Sequence, residues 1–269
     1  MIPKRIFYVW GANEPLRESV KKYIDSWKRF LPDYEIIQID EESKEYFDFQ
    51  KELDSNKWFK TVYDKKMWAY VSDYVRVKTL LDNGGIYLDT DVEVLKSFDD
   101  LLSEPAFVGI QNIYYTEPAI LGAQKNNLFL NKVLEFYKED IWNSELYLIP
   151  QIFEKFLAEE KGVSGYPDRQ NQKVIHLKNI TVFPQGYLVP FNSTEGYDEK
   201  FVTDKTYTIH WYDGSWVKPE ILYFLHNKCK MTLEEIESTY KLNKLKIDMY
   251  YRAQMAWGKK YTGNIKNGK

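Results

Sequence analysis

The residues of this chain best suited to chemistry are Asp89 and Asp91, at the end of the run Gly84-Gly85-Ile86-Tyr87-Leu88-Asp89-Thr90-Asp91. Two glycines stop a helical pattern, three apolar residues read as a short strand, and two carboxylates follow. Residues i and i+2 of a strand point the same way, so both acids can converge on one point. Converging carboxylates at an exposed strand end suit a hard divalent cation carrying phosphate oxygens. A metal-held diphosphate is the leaving group of a nucleotide-sugar. A lone pair of this kind is more often a solvated acidic turn, so the assignment depends on the elements around it.

Those elements can be read from spacing. Ile2–Val9 reads as a buried first strand, with Trp10-Gly11-Ala12-Asn13 as the loop at its end. Pro15 stands where a helix can start. Leu16, Val20, Tyr23, Ile24, Trp27 and Leu31 recur at helical spacing until Pro32 stops them. Tyr34–Ile39 reads as a second strand, giving a βαβ unit and a parallel sheet. Residues 41–63 are charged and aromatic without clear period. Asp64 is placed to cap a helix whose apolar face is Met67, Trp68, Val71, Val75 and Leu81, ended by Asn83-Gly84-Gly85. Asp73 and Arg76, three apart, are neighbours on it. Further strands are expected at Val92–Leu95, Ala106–Ile110, Ala119–Ala123, Ile180–Phe183 and Tyr207–His210, and helices at 127–138, 151–160 and from Pro219 to about Trp257. Residues 263–269 read as frayed.

The chain of 269 residues is 44% apolar and unusually aromatic, with 8 Trp, 22 Tyr and 15 Phe. Rings with polar tips suit stacking on sugars and bases, although most serve a core. The single cysteine, Cys229, excludes an internal disulfide and fits a reducing compartment. No run approaches the ~18 apolar residues of a membrane span, and the N-terminus runs straight into a strand pattern with no signal peptide. The expectation is a cytoplasmic protein. Net charge is −3, but residues 228–269 carry +6, leaving −9 elsewhere. A solvated helical surface is the first reading of that tail; contact with an anionic membrane face is the functional alternative. The simplest partition is one domain over 1–218 with a helical basic extension over 219–269.

Taken together, several stretches resemble the DXD-containing glycosyltransferase family of bacterial capsular-polysaccharide transferases and yeast initiating outer-chain mannosyltransferases, more distantly the clostridial glucosylating toxins. They are Ile2–Gly11, Ser26-Trp27, Leu31–Ile36, Val71–Arg76, Asn83–Asp91 and Thr206–Trp216, spanning about four-fifths of the chain. The D-x-D alone is weak; the order S-D-x-x-R, G-G-x-Y-x-D-x-D and H-…-S-W is specific. The resemblance implies a GT-A fold, a Rossmann-like α/β sandwich around one nucleotide-sugar site, and transfer of a hexose from a UDP-sugar to a glycan or lipid-linked saccharide, in capsular or related polysaccharide synthesis. It makes Asp91 a metal ligand, and Asp89 a ligand of the metal, ribose or donor sugar. Trp10 corresponds to a base-stacking ring, with Val9 backbone groups at the base edge. Asp73 and Arg76 correspond to a pair gripping the donor, with Tyr87 touching the same pocket. Ser215 and Trp216 resemble residues that close over the diphosphate. His210 is a candidate ligand for Mn²⁺ or Mg²⁺, with Asp213 its rival; His176 and His226 read as structural.

The resemblance implies retention at the anomeric carbon; same-face attack is the expected route to it, because no spare acid declares itself as a nucleophile. In place of an Asn often found before the strand at Ala119, this chain has Glu117-Pro118, and proline offers no side-chain hydrogen bond. A haloacid-dehalogenase-like phosphatase is the enzymatic alternative. Ile86-Tyr87-Leu88 reads as too short for its central strand, and Glu93 stands where a Thr is expected. An EF-hand is excluded by Val94 at the sixth loop position, which needs Gly. A carbohydrate-binding module needs no metal–diphosphate set. Nucleic acid is not an expected partner.

Overall fold

The computed structural model describes residues 1–42, 44–213 and 218–265, with side chains described as far as Met255. A seven-stranded sheet is its spine. β1 (Arg5–Val9), α1 (Glu18–Phe30) and β2 (Glu35–Ile39) form the expected opening unit. Residues 41–63, without period in the sequence, hold α2 (Phe49–Ser55) and α3 (Lys57–Asp64). Each is started by a side-chain cap: Asp48 accepts from the Lys51 N–H at 3.1 Å and Asn56 from the Phe59 N–H at 2.8 Å. Asp64 is therefore the last residue of α3, not the cap of the next helix. That helix, α4 (Trp68–Asn83), starts at Met67 after a turn through Lys66, whose φ is 53°.

Gly84 ends α4 at a φ of 67°, where an added Cβ would lie 2.8 Å from the Lys125 backbone nitrogen. β3 (Gly85–Leu88) follows at once, then β4 (Val92–Val94), β5 (Ala106–Ile110) and β6 (Thr116–Ala123). After them come α5 (Leu128–Glu135), α6 (Ile149–Lys161), β7 (Ile175–His176), β8 (Thr181–Phe183), β9 (Thr208–His210), α7 (Pro219–Asn227) and α8 (Leu233–Ile265). The large sheet runs β2-β1-β3-β6-β5-β8-β7, and β4 pairs with β9 in a small second sheet. β1 is parallel to β2 and β3, and β5 to β8; the remaining pairs are antiparallel. The α/β class expected from the sequence is the class observed, with a mixed rather than wholly parallel sheet.

β3 is central and wholly buried despite its length. A strand this short is thus long enough to be central, contrary to the expectation. Gly85 joins the ladder opposite Ala123, and both edges of β3 are paired. Alternation along the strands sorts the core into two layers. Phe7 and Tyr87 face a cluster with Trp58, Val71, Phe129 and Phe153. Ile6, Tyr8, Ile86 and Leu88 face one with Val20, Ile24, Trp27 and Val92. Trp27 also donates its indole N–H to the Val92 carbonyl at 2.8 Å, tying α1 to the stretch just after the two acids.

The start of the C-terminal extension is built into the first layer. Ile221, Phe224, Leu225 and Ile236 are buried in it, and the buried Lys228 ammonium donates to the Ile141 and Ser144 carbonyls. α8 is non-helical at Asn243. Leu242, just before that point, and Leu245 and Met249, past it, are 84%, 76% and 64% exposed, while Tyr251 is buried. No helix among the described residues is long and apolar enough to cross a membrane.

Candidate functional site

Three elements bring the acids and the histidine together. β3 delivers Asp89 at its C-terminal end, where the Asp89 N–H still bonds the Ala119 carbonyl of β6 at 2.9 Å. The chain then turns, with Val92 N–H to Asp89 carbonyl at 3.1 Å, and enters β4. β4 and β9 place Val92 opposite His210, and the Trp211 N–H bonds the Asp91 carbonyl at 3.0 Å. Ligand atoms of Asp89, Asp91 and His210 lie within 4.8 Å of one another. The rival donor Asp213 does not join that group; its backbone N–H instead donates to Asp91 Oδ2 at 2.9 Å.

His210 is about nine-tenths buried. Its Nε2 lies 3.2 Å from Asp91 Oδ1, and its Nδ1 lies 3.9 Å from Glu117 Oε2 with no hydrogen-bond partner. Burial alone would lower the imidazole pKa, but the Asp91 carboxylate, backed by Glu117 and Asp89, holds it up at about 9. Burial also works on Asp91, yet His210 and the Asp213 N–H keep it below the usual carboxylate range.

Arg76 sits behind this group, almost wholly buried. Nε donates to the Ser72 carbonyl at 3.3 Å. Nη1 donates to Asp89 Oδ2 at 3.3 Å and to the Pro118 carbonyl at 2.8 Å. Nη2 reaches Asp89 Oδ1 at 3.1 Å, Ser72 Oγ at 3.2 Å and Asp73 Oδ1 at 3.0 Å. All five guanidinium N–H groups are committed within the protein. In this arrangement Arg76 clamps Asp89 in place. Asp73, in contact with it, is equally interior. Tyr87 is likewise buried. Its hydroxyl donates to Asp89 Oδ1 at 3.0 Å and its ring lies 4.6 Å from the guanidinium carbon. An Asp89 held on both oxygens by Arg76 is poorly placed as the free nucleophile a phosphatase requires.

The whole cluster carries more negative than positive charge. Asp73, Asp89, Asp91 and Glu117 surround one arginine and one histidine. Burial raises Asp73 to about 7 despite Arg76, and raises Asp89 and Glu117 above their ordinary values. A further cation would relieve that excess, and the carboxylate–imidazole donor set suits a first-row or alkaline-earth divalent ion.

Glu117 is the residue that sequence reasoning passed over. Residues 117 and 118 lie inside β6, not before it. Pro118 offers no side-chain bond, as expected, but its carbonyl holds Arg76. On the other flank, parallel pairing sets Ile6 opposite Ile86 and Phe7 opposite Tyr87; two more steps bring Val9 level with Asp89. Trp10 follows, its indole N–H donated to the Glu14 carbonyl at 2.8 Å. Ser215 and Trp216 lie outside the described residues. His176 bonds Thr181 within the β7–β8 ladder, and His226 bridges the hydroxyls of Tyr147 and Tyr251.

The resemblance read from the sequence is borne out by comparison with known proteins. Residues 17–108 match the family described as the glycosyltransferase sugar-binding region containing DXD motif. The chain is similar to inositol phosphoceramide mannosyltransferase 3 of Schizosaccharomyces pombe, 32% identical over 138 residues, covering 49% of this chain and 36% of the relative. It is also similar to Toxin Afp18 of Yersinia ruckeri, 28% identical over 140 residues, covering 48% of this chain and 6% of the toxin. It thus spans only about a third or less of the length of these relatives. Among solved structures, the PaToxG glycosyltransferase aligns with a TM-score of 0.48 at 21% identity, over 59% of this chain and 69% of that one.

Proposed function

We propose that this chain is a cation-dependent glycosyltransferase of the GT-A type that moves a hexose from a nucleotide-diphosphate sugar, a UDP-hexose, to a saccharide acceptor. The observation that carries the proposal is the convergence of Asp89, Asp91 and His210 at the end of β3, with both acids inside the stretch that matches the DXD family. These three residues would hold Mn²⁺ or Mg²⁺, which when bound offsets the charge of a departing diphosphate. Arg76 and Tyr87 fix Asp89 from below, so the site needs little rearrangement to receive its ligand. Val9 and Trp10, level with Asp89, would meet the base. Ser215 and Trp216 would cover the diphosphate. Asp73 would act through Arg76.

Retention by same-face attack remains the proposed course. The buried Glu117 is an acid the sequence did not reveal as part of the site. It is bonded to Gln111 at 2.6 Å and faces Nδ1 of His210, an arrangement that favours a supporting role over a covalent glycosyl–enzyme route. The test is nucleotide release from UDP-glucose, UDP-galactose, UDP-N-acetylglucosamine and GDP-mannose, with and without Mn²⁺. Release from a UDP-hexose that a chelator abolishes is the expected result. No release from any donor, or release indifferent to chelation, would sink the proposal.

A lipid-linked acceptor in surface-polysaccharide assembly would place the enzyme at the inner face of the cell membrane. Supporting this, Leu242, Leu245 and Met249 are exposed in a stretch of α8 that also carries Lys241, Lys246 and Arg252. Apolar residues edged by cations suit an anionic interface. Of the aromatic residues in the same extension, Tyr250 is exposed and Tyr251 is buried against His226; the side chain of Trp257 lies outside the described residues. The chain is expected to sediment with phosphatidylserine-containing vesicles more than with phosphatidylcholine alone. Replacing Leu242, Leu245 and Met249 by Gln should cut that binding by roughly tenfold or more. Equal sedimentation with both lipids would refute membrane contact.

A further inference from the structure

We infer that Glu117 is the positioning residue for His210: its carboxylate takes the Nδ1–H of the imidazole and so turns the Nε2 lone pair toward Asp89 and Asp91. The inference rests on the cation-site reading above. A neutral imidazole has one N–H and one lone pair, and which nitrogen carries which is set by what the other nitrogen meets. Nε2 is the nitrogen on the Asp91 side, at 3.2 Å from Oδ1. A ring that offers Nε2 to a cation must carry its proton on Nδ1. In this structure Nδ1 is buried and unpartnered, 3.9 Å from Glu117 Oε2. A shift of about 1 Å brings the pair to hydrogen-bond distance.

The backbone aims Glu117 at that point. β5 and β6 pair Val108 with Leu121 but the next residue, Gly109, with Glu117. Pro118, Ala119 and Ile120 thus bulge out of the β5 ladder while β6 keeps its bonds to β3, Ile120 opposite Leu88. Pro118 has no N–H to lose there, and a bulge re-aims the neighbouring side chain. Three further contacts hold the result. Gln111 Nε2 donates to Glu117 Oε2 at 2.6 Å, the Ala119 N–H reaches Oε1 at 3.4 Å, and Gln111 also contacts the Tyr212 hydroxyl at 3.4 Å. The Tyr212 ring lies 4.0 Å from the His210 ring, closing the group. Tyr212 takes a left-handed φ of 56° to do so, a conformation a bulky residue adopts only where its surroundings impose it.

Carboxylates that orient a ligating histidine in this way set its tautomer and raise its basicity, and their loss typically weakens metal binding about 10–100-fold. The experiment is Mn²⁺ titration of the full chain, without nucleotide, followed by electron paramagnetic resonance. Nitrogen NMR of histidine-labelled protein in Mg²⁺ is recorded alongside it. Glu117→Gln is expected to weaken Mn²⁺ binding by about 10–100-fold. In the unmutated chain His210 should carry its proton on Nδ1, a preference that Glu117→Gln removes. Gln111→Leu, which frees Glu117 without altering its charge, should weaken binding in the same direction by less, and it decides the matter if Glu117→Gln does not fold. Unchanged affinity in the variant that folds, or a proton on Nε2 in the Mg²⁺-loaded chain, overturns the inference alone. A failure of the unmutated chain to bind Mn²⁺ overturns the cation site and this inference with it.

Discussion

Asp91→Asn is expected to lower cation-dependent nucleotide release by roughly three orders of magnitude, about 4 kcal/mol of transition-state stabilisation, while the protein stays folded. The asymmetry follows from what the side chain does. One oxygen accepts the Asp213 N–H and the other faces His210 Nε2. An asparagine amide keeps the first contact, its oxygen accepting from Asp213; without the Asp91 charge that holds it protonated, His210 falls back to a neutral ring, to whose Nε2 the amide NH₂ donates. What it cannot keep is the negative charge a cation requires. Losing the ion pair with His210 costs stability, in part offset because the cluster has too many anions. Stability should fall by about 1–3 kcal/mol, or about 2–12 °C in melting temperature for a chain of this size. Asp91→Ala is the poorer test, because it leaves a buried imidazole and a backbone N–H without partners. Nucleotide release at the unmutated rate in a folded Asp91→Asn protein would remove the central assignment.

How much of this site was legible depended on whether a residue's task is local. The βαβ opening, the helix carrying Asp73 and Arg76, and the Gly-Gly stop before two acids all follow from period and short spacing. Each was read within about three residues of its observed bounds. The reading faltered where a single side chain starts an element. Asn56 alone separates α2 from α3, and no apolar period marks it. A proline that reads as the limit of a strand is a second such place. Pro118 sits inside β6 because its missing N–H falls on a bulge, and discounting it also discounted Glu117. Proline within an otherwise strand-like run was the available signal. His210 meets Asp91 through pairing of β4 with β9, segments more than a hundred residues apart. Nothing in local sequence reports that pairing; the resemblance of the closing motif supplied it.

The role of Arg76 was the least visible, because saturation of a donor set is a property of the folded interior. Its residue type suggested an outward grip on oxygens, and the structure turns the same fork inward. This makes Arg76→Met the variant with the largest expected effect on stability. Removing one partner of a buried ion-paired group typically costs about 3–5 kcal/mol, because the carboxylates left behind are uncompensated. For this chain that corresponds to a loss of roughly 6–20 °C in melting temperature. Arg76→Lys should recover only part, since a point charge cannot serve Asp89, Asp73, Ser72 and the Pro118 carbonyl at once. The loss is bounded by proton uptake. Asp73 already stands at about 7, raised by burial against the pull of Arg76, and without the guanidinium it rises further. A carboxyl raised in the folded state binds more protons there than in the unfolded chain, so stability falls as pH rises through that interval. The deficit of Arg76→Met relative to the unmutated protein should therefore shrink as pH is lowered from about 8 toward about 5. Adding Asp73→Asn should likewise restore part of the loss, in a non-additive manner expected of residues in direct contact. Thermal and urea denaturation of the four proteins at the two pH values measure all of this. A melting temperature for Arg76→Met indistinguishable from that of the unmutated chain would mean that Asp89 is held by something other than this arginine.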